Sequence, residues 1–110
     1  MRIQGLPQTR PVPTFTLTIT VRLDDVPDDD TIDALSATLL PGADDLMVWR
    51  DADAAVLRLS VDHPATDADA AVVFGLELGD HALALSRSGG TVEEVVAMDD
   101  DRQLLWRAEP

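Results

Sequence analysis

Ten residues near the start of the chain, TFTLTITVRL at 14–23, alternate without a break. Phe15, Leu17, Ile19, Val21 and Leu23 fall on one side, and Thr14, Thr16, Thr18, Thr20 and Arg22 on the other. Successive side chains of a strand point to opposite faces, so this pattern predicts a strand with one face in a core and one towards water. β-branched threonine suits that outer face. Pro27 ends the strand, and the period then changes: Ile32, Leu35, Leu39 and Leu40 recur at helical spacing. Asp29 or Asp30 stands where an N-cap is wanted, first-turn carboxylates meet the positive end of the helix dipole, and Pro41-Gly42 closes the run.

Residues 45–51 (DLMVWRD) and 55–62 (AVLRLSVD) read as two short strands, joined across Asp51 to Ala54 as a hairpin. A second helix begins near Thr66, capped by Thr66 or Asp67, with Ala70, Ala71, Phe74, Leu78 and Leu85 as its apolar stripe. Gly75 and Gly79 weaken a helix, which a close approach to the sheet would explain. Ser88-Gly89-Gly90 closes it, TVEEVVAM (91–98) forms a fourth strand, and Asp99 to Asp101 turn the chain. The pattern of the closing RQLLWRAEP leaves its type open. Residues 1–13, with three prolines, read as an extended tail ahead of a single domain over 14–110. The order strand, helix, strand, strand, helix, strand predicts an α+β fold, the ferredoxin-like βαββαβ sandwich, with an antiparallel sheet and both helices on one face.

Composition narrows the partners. At 110 residues the chain holds one core, and 45% hydrophobic with 26% charged residues is globular composition. Eight arginines and no lysine stand against 21 acids, 17 of them Asp, for a net charge of −13. That balance disfavours nucleic acid and anionic membranes as partners. The Asp and Ala bias fits a GC-rich genome or a salt-adapted proteome, so it says little about function. Without cysteine there is no disulfide, thiolate zinc site or cysteine nucleophile. MRIQGLPQTRPVP lacks the apolar core of a secretory signal, and no apolar run approaches the roughly 18 residues of a membrane span, so the default expectation is cytoplasmic.

From Thr14 to about Asp100 the pattern resembles small ferredoxin-like domains encoded widely in actinobacteria. The resemblance lies in "TFTLTITV", "GADDLMVW", the short hairpin, the acid-capped helix and "VEEVVAMDDD". In several relatives such a domain precedes a helix-turn-helix segment, for which RQLLWRAEP leaves no room. The resemblance implies the fold and assigns no activity to any residue.

Candidate chemistry is sparse. RLDDVPDDDTID (22–33) is dense in aspartate, yet no register of it supplies the glycine and the twelfth-position glutamate of a calcium loop. Capping explains these acids, and no metal or cofactor is expected. His63, before Pro64 in a loop, and His81, late in the second helix, are the only histidines. Ser60, Asp62 and His63 could be written as a triad, but close sequence neighbours rarely form one. SRSGGT (86–91) has its glycines after a helix, where they cap it, and not before one, where they would cradle phosphate. RNA recognition on a sheet of this kind needs stacking aromatics, and the outer face here is threonine.

The uncovered side of the sheet is more informative. If Leu46 and Val48 face the helices, Met47 and Trp49 lie on the open side with Thr16, Thr18, Thr20 and Arg58. A large apolar residue there calls for a cover, supplied by the tail with Leu104, Leu105 and Trp106 or by another chain, unless Trp49 is buried within its own domain. Met47, Trp49, Arg58, Leu104 and Trp106 are therefore the candidate interface. Two functions compete. One is a non-enzymatic interaction or regulatory module acting through its sheet face, as a homodimer or with another protein. The alternative is a small ferredoxin-like enzyme of the oxygenase or isomerase kind, with a pocket between sheet and helices that holds His81 or an arginine.

Overall fold

The computed structural model describes residues 12–39, 45–50, 55–87 and 89–108. Apart from Val12 and Pro13 the N-terminal tail lies outside them, as do Leu40, the Pro41-Gly42 stop, the Asp51 to Ala54 connection and Ser88. The elements are β1 (Thr14–Leu23), α1 (Asp29–Thr38), β2 (Met47–Arg50), β3 (Val56–Pro64), α2 (Ala68–Ser86), β4 (Gly90–Met98) and β5 (Gln103–Arg107). They build one antiparallel sheet in the order β2-β3-β1-β4-β5, with α2 across β1 and β4 and α1 beside β2 and α2. This α+β arrangement is consistent with the ferredoxin-like expectation, but among the described residues the sheet has five strands where four were expected, and β5 at its edge changes the strand order. Among the described residues no helix is long and apolar enough to cross a membrane.

The alternation of β1 sets its two faces: Phe15, Leu17, Ile19 and Val21 are completely buried beneath the helices, while on the outer side Thr20 alone is also buried, at 8% exposed. Leu57, Leu59 and Val61 of β3 and Val95 and Ala97 of β4 extend the same layer, and Leu35 and Leu39 close it from the α1 side. The acids at the start of α1 meet two needs. Asp28, one residue earlier than expected, is the N-cap of α1: its Oδ1 accepts the Thr31 N–H at 2.8 Å. Asp29, in the first turn, pairs with Arg50 at 3.4 Å.

α2 departs from its expected stripe. Asp67 caps it, accepting the Ala70 N–H at 2.8 Å, but Ala70 and Leu85 face outward, while Ala71, Val72, Gly75, Leu78, Gly79 and Ala82 are buried. The reason is the small-residue row at spacing four. A Cβ at Gly75 would stand 2.7 Å from Val95 Cγ1, and one at Gly79 2.7 Å from Val92 Cγ2. The helix thus lies against the sheet along a line that only glycine permits. Its end is not set by the glycine run either: Arg87 takes the left-handed conformation at φ 59°. Gly90 begins β4 instead, pressed against the Arg22 carbonyl where a Cβ has no space.

The closing segment, unassigned from sequence, is β5. Asp99 forms the turn before it, its Oδ1 accepting the N–H groups of Asp101 and Arg102 at 2.9 and 2.7 Å. Its backbone N–H donates to the Arg102 carbonyl, which brings the chain back beside β4.

Candidate interaction face

Both helices lie on one side, so among the described residues the other side of the sheet is open, and the strand registers arrange its side chains in rows. One row crosses all five strands at a single level: Trp49, Arg58, Thr20, Glu94, Arg107. The adjacent row is Met47, Ser60, Thr18, Val96, Leu105. Each row has threonine at the centre, and apolar side chains lie toward the margins, with Met47 61%, Leu105 46% and Trp49 37% exposed. Met98, also exposed, stands one level further along β4. Thr20 is only 8% exposed and its hydroxyl already accepts a hydrogen bond from Arg58, so it has little water left to lose when the face docks.

The charges on this face are tied down within it. Arg22 donates to Glu93 at 2.8 Å, Arg107 to Glu94 at 3.1 Å, and Arg58 to the Thr20 hydroxyl at 3.1 Å. The Glu93 carboxylate raises the Arg22 pKa above its ordinary value, chiefly through that hydrogen bond. Arg58, Glu93, Glu94 and Arg107 rim a shallow hollow of about 480 Å³ over Thr20 and Thr91. Both glutamates reach it because β4 carries a bulge: Thr20 pairs with Glu94 and Val21 with Val92, leaving Glu93 unpaired between them. A bulge re-aims side chains in this way where a regular strand would bury one.

Of the candidate interface residues, Met47, Trp49 and Arg58 come together on the open face, and Trp49 is at its rim and not in the core. Leu104 and Trp106 do not join them. Pairing with Ala97 and Val95 turns both to the helix side, where they are half-buried against the core. The described part of the tail therefore does not fold over the sheet; it extends the sheet, and of Leu104, Leu105 and Trp106 only Leu105 meets the open side. Val96 and Met98 of β4 also belong to the face, where the bulge at Glu93 breaks the alternation of their strand, and Leu105, expected only as part of a covering tail, lies within the face itself.

The histidines are apart from each other and from this face. His63, expected in a loop, lies within β3 and stacks on Phe74 with ring centroids 3.5 Å apart. His81 is exposed on α2. Where α2 crosses the sheet the layer is filled, as the contacts at Gly75 and Gly79 require. Among the described residues no three or more acidic or histidine side chains converge as a metal set. Compared with protein-family models, curated proteins and solved structures, the chain matches none, and nothing there bears on the resemblance to actinobacterial domains.

Proposed function

We propose that this chain is a non-enzymatic interaction or regulatory module, built on a ferredoxin-like sandwich with an added edge strand, whose working surface is the open sheet face. The observation that carries this reading is the pair of registered rows, in which exposed Met47, Trp49 and Leu105 flank a threonine centre. A contiguous face of this kind, apolar at intervals and with its charges already paired, docks onto another surface at low desolvation cost. Side chains with a hydrogen-bonded partner in the free state need not be stripped of water unpaired.

The test is site-specific photo-cross-linking in cells that express the protein. A photoreactive residue replacing Thr18 is expected to give a discrete adduct, and one replacing Val73, exposed on the outer side of α2, is not. Equal adducts from both positions, or none from Thr18, would overturn the reading.

A further inference from the structure

We infer that the open face docks a second copy of this chain, face to face, about a two-fold axis parallel to β1; the inference rests on the reading of that face as the working surface. Charge selects the occupant. Within the strands the open face carries Arg22, Arg58 and Arg107 against Asp62, Glu93 and Glu94, and is therefore neutral. The net charge of −13 belongs to the other residues. Two such molecules repel through most of their surfaces, with a range of ~10 Å at 0.1 M salt. The neutral face is the approach that adds no like charge. A basic protein would be drawn to the acidic remainder and would find this face the weakest attractor.

The rows then choose the axis. A two-fold along β1 exchanges β3 with β4 and β2 with β5 across the interface and keeps every residue at its own level. Thr18 meets its own copy, the hollow over Thr20 meets the same hollow of the second copy, Arg58 faces Glu94 of the second copy, and Met47 faces Leu105. Trp49 faces Arg107, a cation over an aromatic ring. A two-fold perpendicular to the strands sets Arg58 opposite Asp62 but drives Glu94 onto Met98, a carboxylate against a thioether. Face-packed sheets cross at about 30°, which displaces the outer pairs along the strands and disturbs Arg58 and Glu94, one strand from the axis, much less.

Size sets the strength. Strands ~4.8 Å apart and a rise of ~3.3 Å per residue give each copy roughly 500 Å² of face. A pair buries on the order of 1,000 Å², the lower limit for a specific interface. The dimer is therefore reversible.

Sedimentation equilibrium on the full chain, up to several hundred micromolar, tests this with Arg58→Glu and Glu94→Arg. Each variant alone places two like-charged pairs in its own dimer. In an equimolar mixture one contact is native and the other is reversed in sign, so both are complementary. The wild type is expected to approach twice 11.9 kDa. Each single variant should bind itself at least about tenfold more weakly, and the mixture should recover the loss. As a check that does not depend on charge, Thr18→Cys, the only thiol in a cysteine-free chain, should cross-link to its own copy through a short bismaleimide. A wild type that stays at 11.9 kDa, a mixture no tighter than its components, or recovery when Arg58→Glu is mixed with Asp62→Arg instead would overturn the inference. Thr18 adducts to a different protein, with a monomeric wild type, overturn the second copy and leave the working-surface reading standing.

Discussion

Glu93 and Glu94 are adjacent in sequence and both stand on the open face, because β4 slips by one residue against β1 between Val92 and Glu94. Strict alternation from Val92 would have turned Glu94 inward and Val95 outward. With the slip, Val92, Val95 and Ala97 all reach the core, and Glu93 and Glu94 each find an arginine. Deleting Glu93 removes the extra residue and leaves the alternation on either side in phase. The shortened chain is expected to melt cooperatively, a few degrees below wild type at most. Deleting Val96 puts residues on the wrong face and should abolish cooperative melting. Thermal denaturation followed by circular dichroism compares them, and a Glu93 deletion as damaging as the Val96 deletion would contradict the assignment of the bulge.

The contact of Gly75 with Val95 makes a second prediction, one in which two effects oppose. Alanine in a helix interior gains up to ~1 kcal/mol over glycine, whereas overpacking a filled core costs ~1–3 kcal/mol. With the new methyl 2.7 Å from Val95 Cγ1, the second effect wins. Gly75→Ala and Gly79→Ala should each lower the melting temperature by several degrees, at roughly 4–8 °C per kcal/mol for a domain of this size. A rise in either would mean that α2 stands further from the sheet.

The Asp28 cap predicts a pH signature. The Thr31 backbone N–H, bonded to the carboxylate, holds the Asp28 pKa below its ordinary 3.8. A carboxyl whose folded pKa is lowered contributes stability above the unfolded value and loses it as pH falls through the folded one. Asp28→Ala should therefore melt below wild type at neutral pH, and the gap should close only under more acidic conditions than an ordinary aspartate would need. The general relief of acidic repulsion on acidification is shared by both proteins and leaves the gap intact. A gap that is constant down to the acid limit would count against the cap. Asp67→Ala, at the other helix start, should cost about 1 kcal/mol.

The charge of −13 predicts stabilisation by salt, since screening weakens the self-repulsion of the compact state. The melting temperature should rise between low and moderate sodium chloride, and a fall would contradict this.

How far the chain could be read follows from which residues obey one rule at a time. β1 was legible because five buried and five outer positions alternate without exception, and the acids before each helix announced the caps to within a residue. β5 was not, because Leu104, Leu105 and Trp106 form an apolar run: Leu105 belongs to the open face and the other two to the helix side. The signal available was the tight Asp99 turn, which sends the chain straight back along β4 and so fixes the parity. The end of α2 misled for a different reason. Two glycines follow the helix, but the left-handed position falls on Arg87, and Gly90 is needed for close approach to β1. Met47, Trp49 and Arg58 were placed correctly because the parity of β2 and β3 follows from their own buried neighbours.

Docking of a second copy of this chain on the open sheet face is read most directly from the reactivity of one thiol there. In Thr18→Cys the label sits at the centre of the face, and in Val73→Cys it sits on the exposed side of α2. Alkylation rates are measured from low micromolar to several hundred micromolar protein. The Thr18→Cys thiol is expected to become progressively protected as concentration rises, while the Val73→Cys thiol reacts at a constant rate. Equal, concentration-independent rates at both positions would contradict this docking.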